Sequence, residues 1–137
     1  MDSDHISGLT ELFVRGFPVR HVLIADAGRN DPAWTSFYKL ALKSGCHVSL
    51  ISRGDRISFG RMPLSCLHPH SGYEPEDRND SSVVLALAWR QFDMLFTGDL
   101  GPEGEKDCIS YLEGISENSR PGMGKRSKSP HRRLDVL

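Results

Sequence analysis

The chain has 137 residues, 38% of them hydrophobic and 26% charged, with a formal net charge of −1 at pH 7. This length predicts one domain at most with a small core, and the near-zero charge excludes an overall field that attracts nucleic acid. The widely spaced Cys46, Cys66 and Cys108 form no Cys-x-x-Cys pair. Their spacing argues against a zinc ribbon or a disulfide framework and predicts reduced thiols. No signal peptide or bilayer-spanning apolar run is present, so the sequence predicts a soluble chain.

The first part of the chain alternates between helical and strand patterns. The predicted elements are a helix over Ile6–Arg15, a strand over Arg20–Ala25, a helix over Trp34–Lys43 and a strand over Val48–Ile51. Ser3 or Asp4 is the predicted N-cap of the first helix, which ends near Gly16. Pro32 suits the first turn of the second helix, and Gly45 closes it. This alternation predicts an α/β layer.

Beyond Asp55 the pattern changes to short strands. They are predicted over Arg56–Phe59, Met62–Leu67, Ser82–Trp89 and Phe92–Thr97. Gly60 and Arg61 form a hairpin turn between the first two, and Arg90 and Gln91 join the last two in a tight hairpin. Because the last two strands are strongly apolar, we expect them to be central and covered on both faces.

His68 and His70 flank Pro69 in a stretch rich in Gly, Pro and Asp that extends to Asn79. Two closely spaced histidines could be metal ligands. The composition of the stretch favours a solvated loop instead.

The C-terminal part contains one helix and one basic stretch. The helix is predicted over Pro102–Gly114, with a buried stripe of Ile109, Leu112 and Ile115. The stretch from 116 to 133 has the composition of a disordered linker. Its basic residues are Arg120, Lys125, Arg126, Lys128, Arg132 and Arg133. They could contact phosphates weakly, although a solvated flexible loop is the favoured interpretation of the composition. Leu134–Leu137 resumes a strand pattern.

Polar residues flank the Ser82–Thr97 hairpin in the sequence. Asn79 and Asp80 precede its first strand, and Asp99 follows its second. In an antiparallel hairpin these residues lie at one edge of the sheet, where we expect the chemistry. The same residues are common in turns on conformational grounds alone, so ordinary turns remain an alternative.

Four motifs in order carry a family resemblance. They are Asp-Ser-Asp-His-Ile-Ser-Gly-Leu at 2–9, Gly-Asp-Arg-Ile-Ser-Phe-Gly at 54–60, Asp-Arg-Asn-Asp-Ser-Ser-Val-Val-Leu at 77–85 and Leu-Phe-Thr-Gly-Asp-Leu at 95–100. The chain resembles the metallo-β-lactamase-fold domain at the C-terminal end of ComEC-type DNA-internalisation competence proteins. The resemblance implies a partial αββα sandwich over residues 1–115, a basic flexible insert over 116–133 and the start of a truncated strand over 134–137.

The resemblance also implies a set of metal ligands. The family motif His-x-Asp-x-Asp-His matches this chain from its second position, where Met1 stands, so its first histidine has no counterpart. A later family motif, Lys-x-x-His-His-Gly-Ser, has no counterpart either. The implied metal ligands are Asp2, Asp4, His5 and Asp99, with Asp4 and His5 catalytic and Asn79 and Asp80 at a possible edge of the site. We expect Asp99 to lie within about 10 Å of His5, since a shared metal spans no more at coordination distances near 2 Å.

The implied function is metal-dependent hydrolysis. Asp and His suit zinc or manganese, and a two-metal site suits a phosphodiester substrate. The resemblance therefore implies that the chain is a fragment of a nuclease-type hydrolase linked to DNA uptake in competence, with a parent protein in the bacterial cell membrane. Because the motif is incomplete, we expect this chain to be weakly active or inactive. The alternative is a non-catalytic α/β module, either a decayed copy or a nucleic-acid-binding piece whose basic insert holds DNA.

Overall fold

The structure, a computed structural model, describes residues 3–118 and 132–136. Its class is mixed α/β, as the sequence predicted. In chain order the elements are α1 (Ser3–Val14), β1 (His21–Ala25), α2 (Pro32–Lys43), β2 (His47–Ile51), β3 (Arg56–Phe59), β4 (Met62–His68), a 3₁₀ helix (Arg78–Ser81), β5 (Val84–Trp89), β6 (Phe92–Phe96), α3 (Pro102–Asn118) and β7 (Arg133–Asp135). No helix in the described ranges is long and apolar enough to cross a membrane.

The strands form two sheets. β1 and β2 pair in parallel, with His21 opposite His47 and Ala25 opposite Ile51. The second sheet has five strands in the order β6-β5-β4-β3-β7. Its pairs are antiparallel apart from β3 and β7, which run parallel.

The elements stack in four layers, in the order helices, small sheet, large sheet, helix. Helices α1 and α2 pack on the two-stranded sheet around the buried side chains of Val22, Ile24, Trp34, Phe37, Ala41 and Cys46. The two sheets meet across Ile51, Ile57 and Cys66. Helix α3 covers the other face of the large sheet, where Cys108 packs near Val84. The described residues therefore have an α-β-β-α layer order, with each apolar sheet face turned towards a neighbouring layer.

The helix starts agree with the sequence only in part. Helix α1 begins at Ser3, so Ser3 and Asp4 are helical residues and the prediction that one of them is the N-cap was wrong. Helix α2 begins at Pro32 as predicted, and the side chain of Asp31 accepts a hydrogen bond of 2.8 Å from the N–H of Ala33. Proline suits this position because the first helical N–H has no partner within the helix.

The β5–β6 hairpin forms as predicted, but its position in the sheet differs. Strand β6 is an edge strand of the large sheet, and all five of its residues are exposed. The prediction that both strands are central and covered on both faces was therefore wrong for β6. An apolar strand pattern indicates that a strand fits a partly buried surface, and does not identify the element that covers it.

The buried face of α3 also differs from the prediction. Ile109, Leu112 and Ile115 are exposed to 55%, 41% and 43%, so they do not form the buried stripe. The packed face instead carries Cys108, with Tyr111 partly buried beside it. The predicted stripe has helical spacing but the wrong phase, because small residues on the packed face gave a weaker apolar signal than the exposed isoleucines.

Most of the predicted basic insert, including Arg120, Lys125, Arg126 and Lys128, lies outside the described residues. Arg132 is described, and its guanidinium binds the carboxylate of the buried Asp55 at 2.9 Å and the backbone oxygen of Leu50. The Nε of Arg133 donates to the hydroxyl of Ser58 at 3.3 Å. These two arginines therefore hold β7 against the fold.

The three cysteines are free thiols and all are buried. Burial raises the pKa of Cys66 to about 12 and also raises the pKa of Cys108. We expect the native protein to react slowly with Ellman's reagent at pH 8, because all three thiols are inaccessible and the raised pKa values of Cys66 and Cys108 also disfavour their reactive thiolate forms. In denaturant all three should react at once. Rapid reaction of a native thiol would contradict this placement.

Candidate functional site

The predicted site lies at one edge of the large sheet, where β5 begins and β6 ends. The 3₁₀ helix that carries Asn79 and Asp80 precedes β5 directly, and Asp99 is exposed in the turn after β6. Gly98 has a φ of +60°, and a Cβ at this position would lie 3.3 Å from the Cβ of Ser82. Glycine is therefore favoured here by its backbone conformation and by close contact. The antiparallel register brings these polar residues to the same edge, as expected from the sequence.

A cavity of about 180 Å³ opens beside this edge. It is lined by Ile6, Leu23, Ile24, Ala25, Ala27, Gly28, Trp34, Arg78, Asn79, Ser81, Ser82 and Val83. Ile6 directly follows His5, and the side chain of Ser82 lies close to Gly98, which precedes Asp99. The cavity is therefore adjacent to the segment that carries Asp4 and His5, and one of its lining residues is close to the turn that carries Asp99.

Asn79 and Asp80 have different surroundings. Asn79 is half-buried and lines the cavity. Asp80 is buried, and its carboxylate accepts a hydrogen bond of 2.8 Å from the N–H of Gly104, the third residue of α3. A Cβ at Gly101 would lie only 2.5 Å from the same carboxylate. The carboxylate thus caps α3 from a distant part of the chain and meets the positive end of its dipole.

His68 is fully buried, although the sequence predicted a solvated loop from His68 to His70. Its Nε2 lies 2.7 Å from the backbone oxygen of Asp80, and its Nδ1 lies 2.9 Å from the carboxylate of Asp107. His70 is exposed, and its ring packs against Tyr73. The prediction was wrong for His68 because loop composition does not reveal a histidine whose two nitrogens both find buried acceptors.

Asp107 also binds a charged side chain, that of Arg53. The guanidinium of Arg53 binds the same carboxylate, and its Nε donates to the backbone oxygen of Leu67 at 3.0 Å. The guanidinium also lies over the ring of Tyr111, 4.6 Å from the centroid. Burial raises the pKa of Asp107, but the hydrogen bond and charge of Arg53, together with His68, leave this pKa below its ordinary value of 3.8. Asp107 is therefore ionised at neutral pH.

Each ring nitrogen of His68 lies next to an acceptor. One acceptor is the backbone carbonyl of Asp80 and the other is the carboxylate of Asp107. The ring therefore ties the backbone at Asp80 to Asp107 on α3.

The structure describes the predicted metal ligands only in part. Asp2 lies outside the described residues, and the backbone of Asp4 and His5 is in the first turns of α1, whereas their side chains are not described. In the described part of the chain, no group of three or more His, Cys, Asp or Glu residues is arranged to hold a metal ion. The ligand roles of these residues and of Asp99 remain predictions.

Sequence reasoning did not single out four of the residues that line the cavity: Trp34, Arg78, Ser81 and Ser82. The Nε1 of Trp34 donates to the backbone oxygen of Ala25 at 3.1 Å, so its polar atom already has a partner. Arg78, Ser81 and Ser82 belong to the motif at 77–85. This motif lies in the sequence between the predicted ligands Asp4 and His5 and the predicted ligand Asp99. That position was the available indication that its side chains line the site.

Comparisons with known proteins give one relative. No family model and no solved structure matches the chain. The chain is 26% identical over 114 residues to ComE operon protein 3 of Bacillus subtilis (strain 168). The match covers 83% of this chain and 14% of that protein, so the chain spans a small part of the relative's length.

We predict that His68→Leu lowers the free energy of unfolding by about 3 kcal/mol, because it leaves Asp107 and the Asp80 carbonyl with a buried partner missing. Urea denaturation measures the change. The exposed His70→Leu is the matched control and should change the free energy by less than about 0.5 kcal/mol. Equal effects of the two substitutions would contradict the assignment of His68.

Asp107 should make stability depend on pH. Its pKa is lower in the folded protein than in the unfolded chain, so its contribution is present above the ordinary value of 3.8 and is lost as the pH falls through the folded pKa. Urea unfolding between pH 5 and pH 2 should show this loss. We expect Asp107→Asn to be less stable at pH 5 and to lose less stability on acidification. The exposed Asp93→Asn should follow the unsubstituted protein.

Proposed function

We propose that this chain is part of a metal-dependent hydrolase domain that cleaves phosphodiesters, most specifically DNA during its uptake in competence. The proposed fold is a partial metallo-β-lactamase-like sandwich. The observation that carries the proposal is a cavity lined by Ile6, the residue after His5, and by Ser82, which lies close to the turn of Asp99. The counterparts of Asp4, His5 and Asp99 form a hydrolytic donor set in the family that the chain resembles, so a substrate in this cavity would lie near both segments.

The layer order supports the fold assignment. The described helices lie outside two facing sheets, as the family resemblance implied. The similarity to ComE operon protein 3 over 83% of the chain supports the link to competence. Because the chain corresponds to a small part of that relative, a membrane-embedded parent protein and DNA as its partner belong to the proposal.

The donor set of Asp2, Asp4, His5 and Asp99 fits zinc or manganese, which accept carboxylate and imidazole ligands. When bound, such ions would supply an activated water and charge stabilisation at the leaving oxygen. Asp2, Asp4, His5 and Asp99 are the residues that would hold these ions.

Arg78 is the cavity residue best suited to a phosphate. Its guanidinium pairs with Asp31 at 3.1 Å through Nε, and the Arg78 side chain is 56% exposed, so the remaining N–H groups are candidates to hydrogen-bond a phosphate oxygen. The hydroxyls of Ser81 and Ser82 and the amide of Asn79 add neutral hydrogen-bonding groups to the same wall. The tie between Asp80, α3 and His68 fixes the backbone that carries this wall.

We predict that the chain binds Mn²⁺ or Zn²⁺ weakly, because its ligand motif is incomplete and a lost ligand lowers metal affinity. Asp99→Ala should weaken this binding by about tenfold or more, as measured by isothermal titration calorimetry. The matched control is Asp93→Ala, which removes an exposed carboxylate from β6, away from the cavity. Equal affinities of the two variants would argue against Asp99 as a ligand.

Activity should depend on completing the motifs. We expect the given chain to cleave plasmid DNA poorly or not at all in the presence of Mn²⁺ or Zn²⁺. A histidine added before Met1 and a His-His-Gly-Ser segment added after Leu137 should raise metal affinity and cleavage together. Asp99→Ala in the extended protein should then abolish cleavage.

The same assays separate hydrolysis from the alternative. Robust cleavage by the given chain would refute the claim of an incomplete site. An extended protein that binds no metal and cleaves nothing would favour the alternative, a non-catalytic α/β module or decayed copy.

A further inference from the structure

Two histidines lie side by side at the start of the small sheet. His21 begins β1 and His47 begins β2, and the parallel register pairs them directly. Paired residues on neighbouring strands point to the same face, which here is the face of Leu23 and Ile51 towards the large sheet. The backbone N–H of His47 also donates to the oxygen of Arg20 at 2.9 Å. The two imidazole rings therefore extend from neighbouring positions on a hydrogen-bonded pair of strands.

The distance between the two rings suits joint binding of one metal ion. Their centroids lie 4.7 Å apart, with the ring planes at 85°. An imidazole nitrogen binds zinc at about 2.0–2.1 Å, which places the ion about 3.2 Å from the ring centroid. Two such rings on one ion, with about 90–110° between the two bonds, have centroids about 4.5–5.2 Å apart. The observed separation lies in this range and is compatible with one ion bound to both rings.

The surroundings of His21 suit a metal ligand. Its Nε2 lies 2.9 Å from the hydroxyl of Ser49, on the same face of β2. Histidines that bind metals usually donate their second ring N–H to an oxygen, which fixes the ring. A hydroxyl accepts such a bond, and Nδ1 of His21 is then left for the ion. Burial and the neighbouring His47 lower the pKa of His21 below its ordinary value of 6.5, which favours the neutral ring that a metal requires.

His47 provides an accessible second imidazole. Its side chain is exposed, and within the residues that the structure describes its ring contacts His21 and makes no hydrogen bond. The ring nitrogens of His47 are thus not engaged by another described group. The same exposure gives an ion a path from solvent and leaves its other coordination positions to water.

We propose that His21 and His47 together bind a divalent transition-metal ion such as Cu²⁺, Ni²⁺ or Zn²⁺ through their two imidazoles. Imidazole suits these ions, whereas Mn²⁺ and Mg²⁺ prefer oxygen ligands. The pair lies at the N-terminal end of β1, and the cavity is lined from Leu23 onwards. At about 3.3 Å per residue, His21 is about 13 Å along the strand from Ala25. This site is separate from the proposed hydrolytic one, and the inference does not depend on the proposed function.

A Cu²⁺ titration of the full chain, followed by amide NMR, tests the site, because a paramagnetic ion broadens the signals of nearby residues. Cu²⁺ binds nitrogen ligands more strongly than the other divalent ions of its row. At pH 7.5 we expect the signals at the starts of β1 and β2 to broaden. His47→Ala should raise the Cu²⁺ concentration needed for half of this broadening by about tenfold or more, because one of two ligands is lost. His47 is exposed, so its replacement should leave the fold intact.

Two control variants separate this site from other metal-binding groups. His70→Ala removes an exposed histidine that follows β4 and should leave the broadening at β1 and β2 unchanged. Asp99→Ala removes a proposed ligand of the hydrolytic site and should also leave it unchanged. Failure of the hydrolytic proposal would therefore not alter this result.

Three results would each overturn the proposal. The first is the absence of broadening at the starts of β1 and β2, and the second is equal broadening in the unsubstituted chain and in His47→Ala. In either case the two rings form an aromatic contact only. The third is loss of the broadening in His70→Ala or Asp99→Ala, which would assign the ion to another site.

Discussion

The buried ring of His68 is the contact on which the arrangement of the candidate site depends. One ring nitrogen holds the backbone at Asp80, and the other holds Asp107 on α3. The backbone at Asp80 continues into the cavity wall, and Asp107 is also bound by Arg53. A buried polar ring is costly unless its nitrogens have hydrogen-bonding partners, and here both nitrogens have one. The same ring therefore fixes strand β4, the 3₁₀ helix and α3 relative to one another.

Asp80 and the N-terminus of α3 form the second part of this arrangement. The carboxylate of Asp80 accepts the N–H of Gly104, while its backbone oxygen accepts from His68. Asp80 thus provides hydrogen-bond acceptors both for an N–H at the start of α3 and for the buried ring of His68. The glycines at 101 and 104 permit this approach, since a side chain at either position would collide with Asp80 or Leu100. Short-range sequence features, two glycines and a turn residue, here produce a long-range contact.

Local patterns in the sequence predicted the elements well because each pattern depends on nearby residues. The helix start at Pro32 and the β5–β6 hairpin follow from proline geometry and from strand periodicity. The burial of His68 could not be predicted, since it depends on acceptors 12 and 39 residues away. For the same reason the packed face of α3 and the edge position of β6 were missed. Both are decided by which surfaces meet in the folded chain.

In the candidate site, too, features that depend on nearby residues could be predicted from the sequence, and features that depend on tertiary contacts could not. The shared edge of Asn79, Asp80 and Asp99 followed from an antiparallel hairpin, which needs only local information. The inward direction of the Asp80 carboxylate and the contribution of Arg78 to the cavity wall required the tertiary structure. The family resemblance assigned roles by position in a motif. It could not distinguish a residue that faces a substrate from its neighbour that supports the wall.

The capping of α3 by Asp80 also affects how motion at the site can be observed. First-turn amides of a helix usually face water and exchange their hydrogens quickly, because they have no partner within the helix. The N–H of Gly104 is buried and bonded to a residue 24 positions earlier in the chain. Its exchange therefore requires that α3 and the wall carrying Asn79 separate, which makes this single amide a natural reporter of how often the site opens.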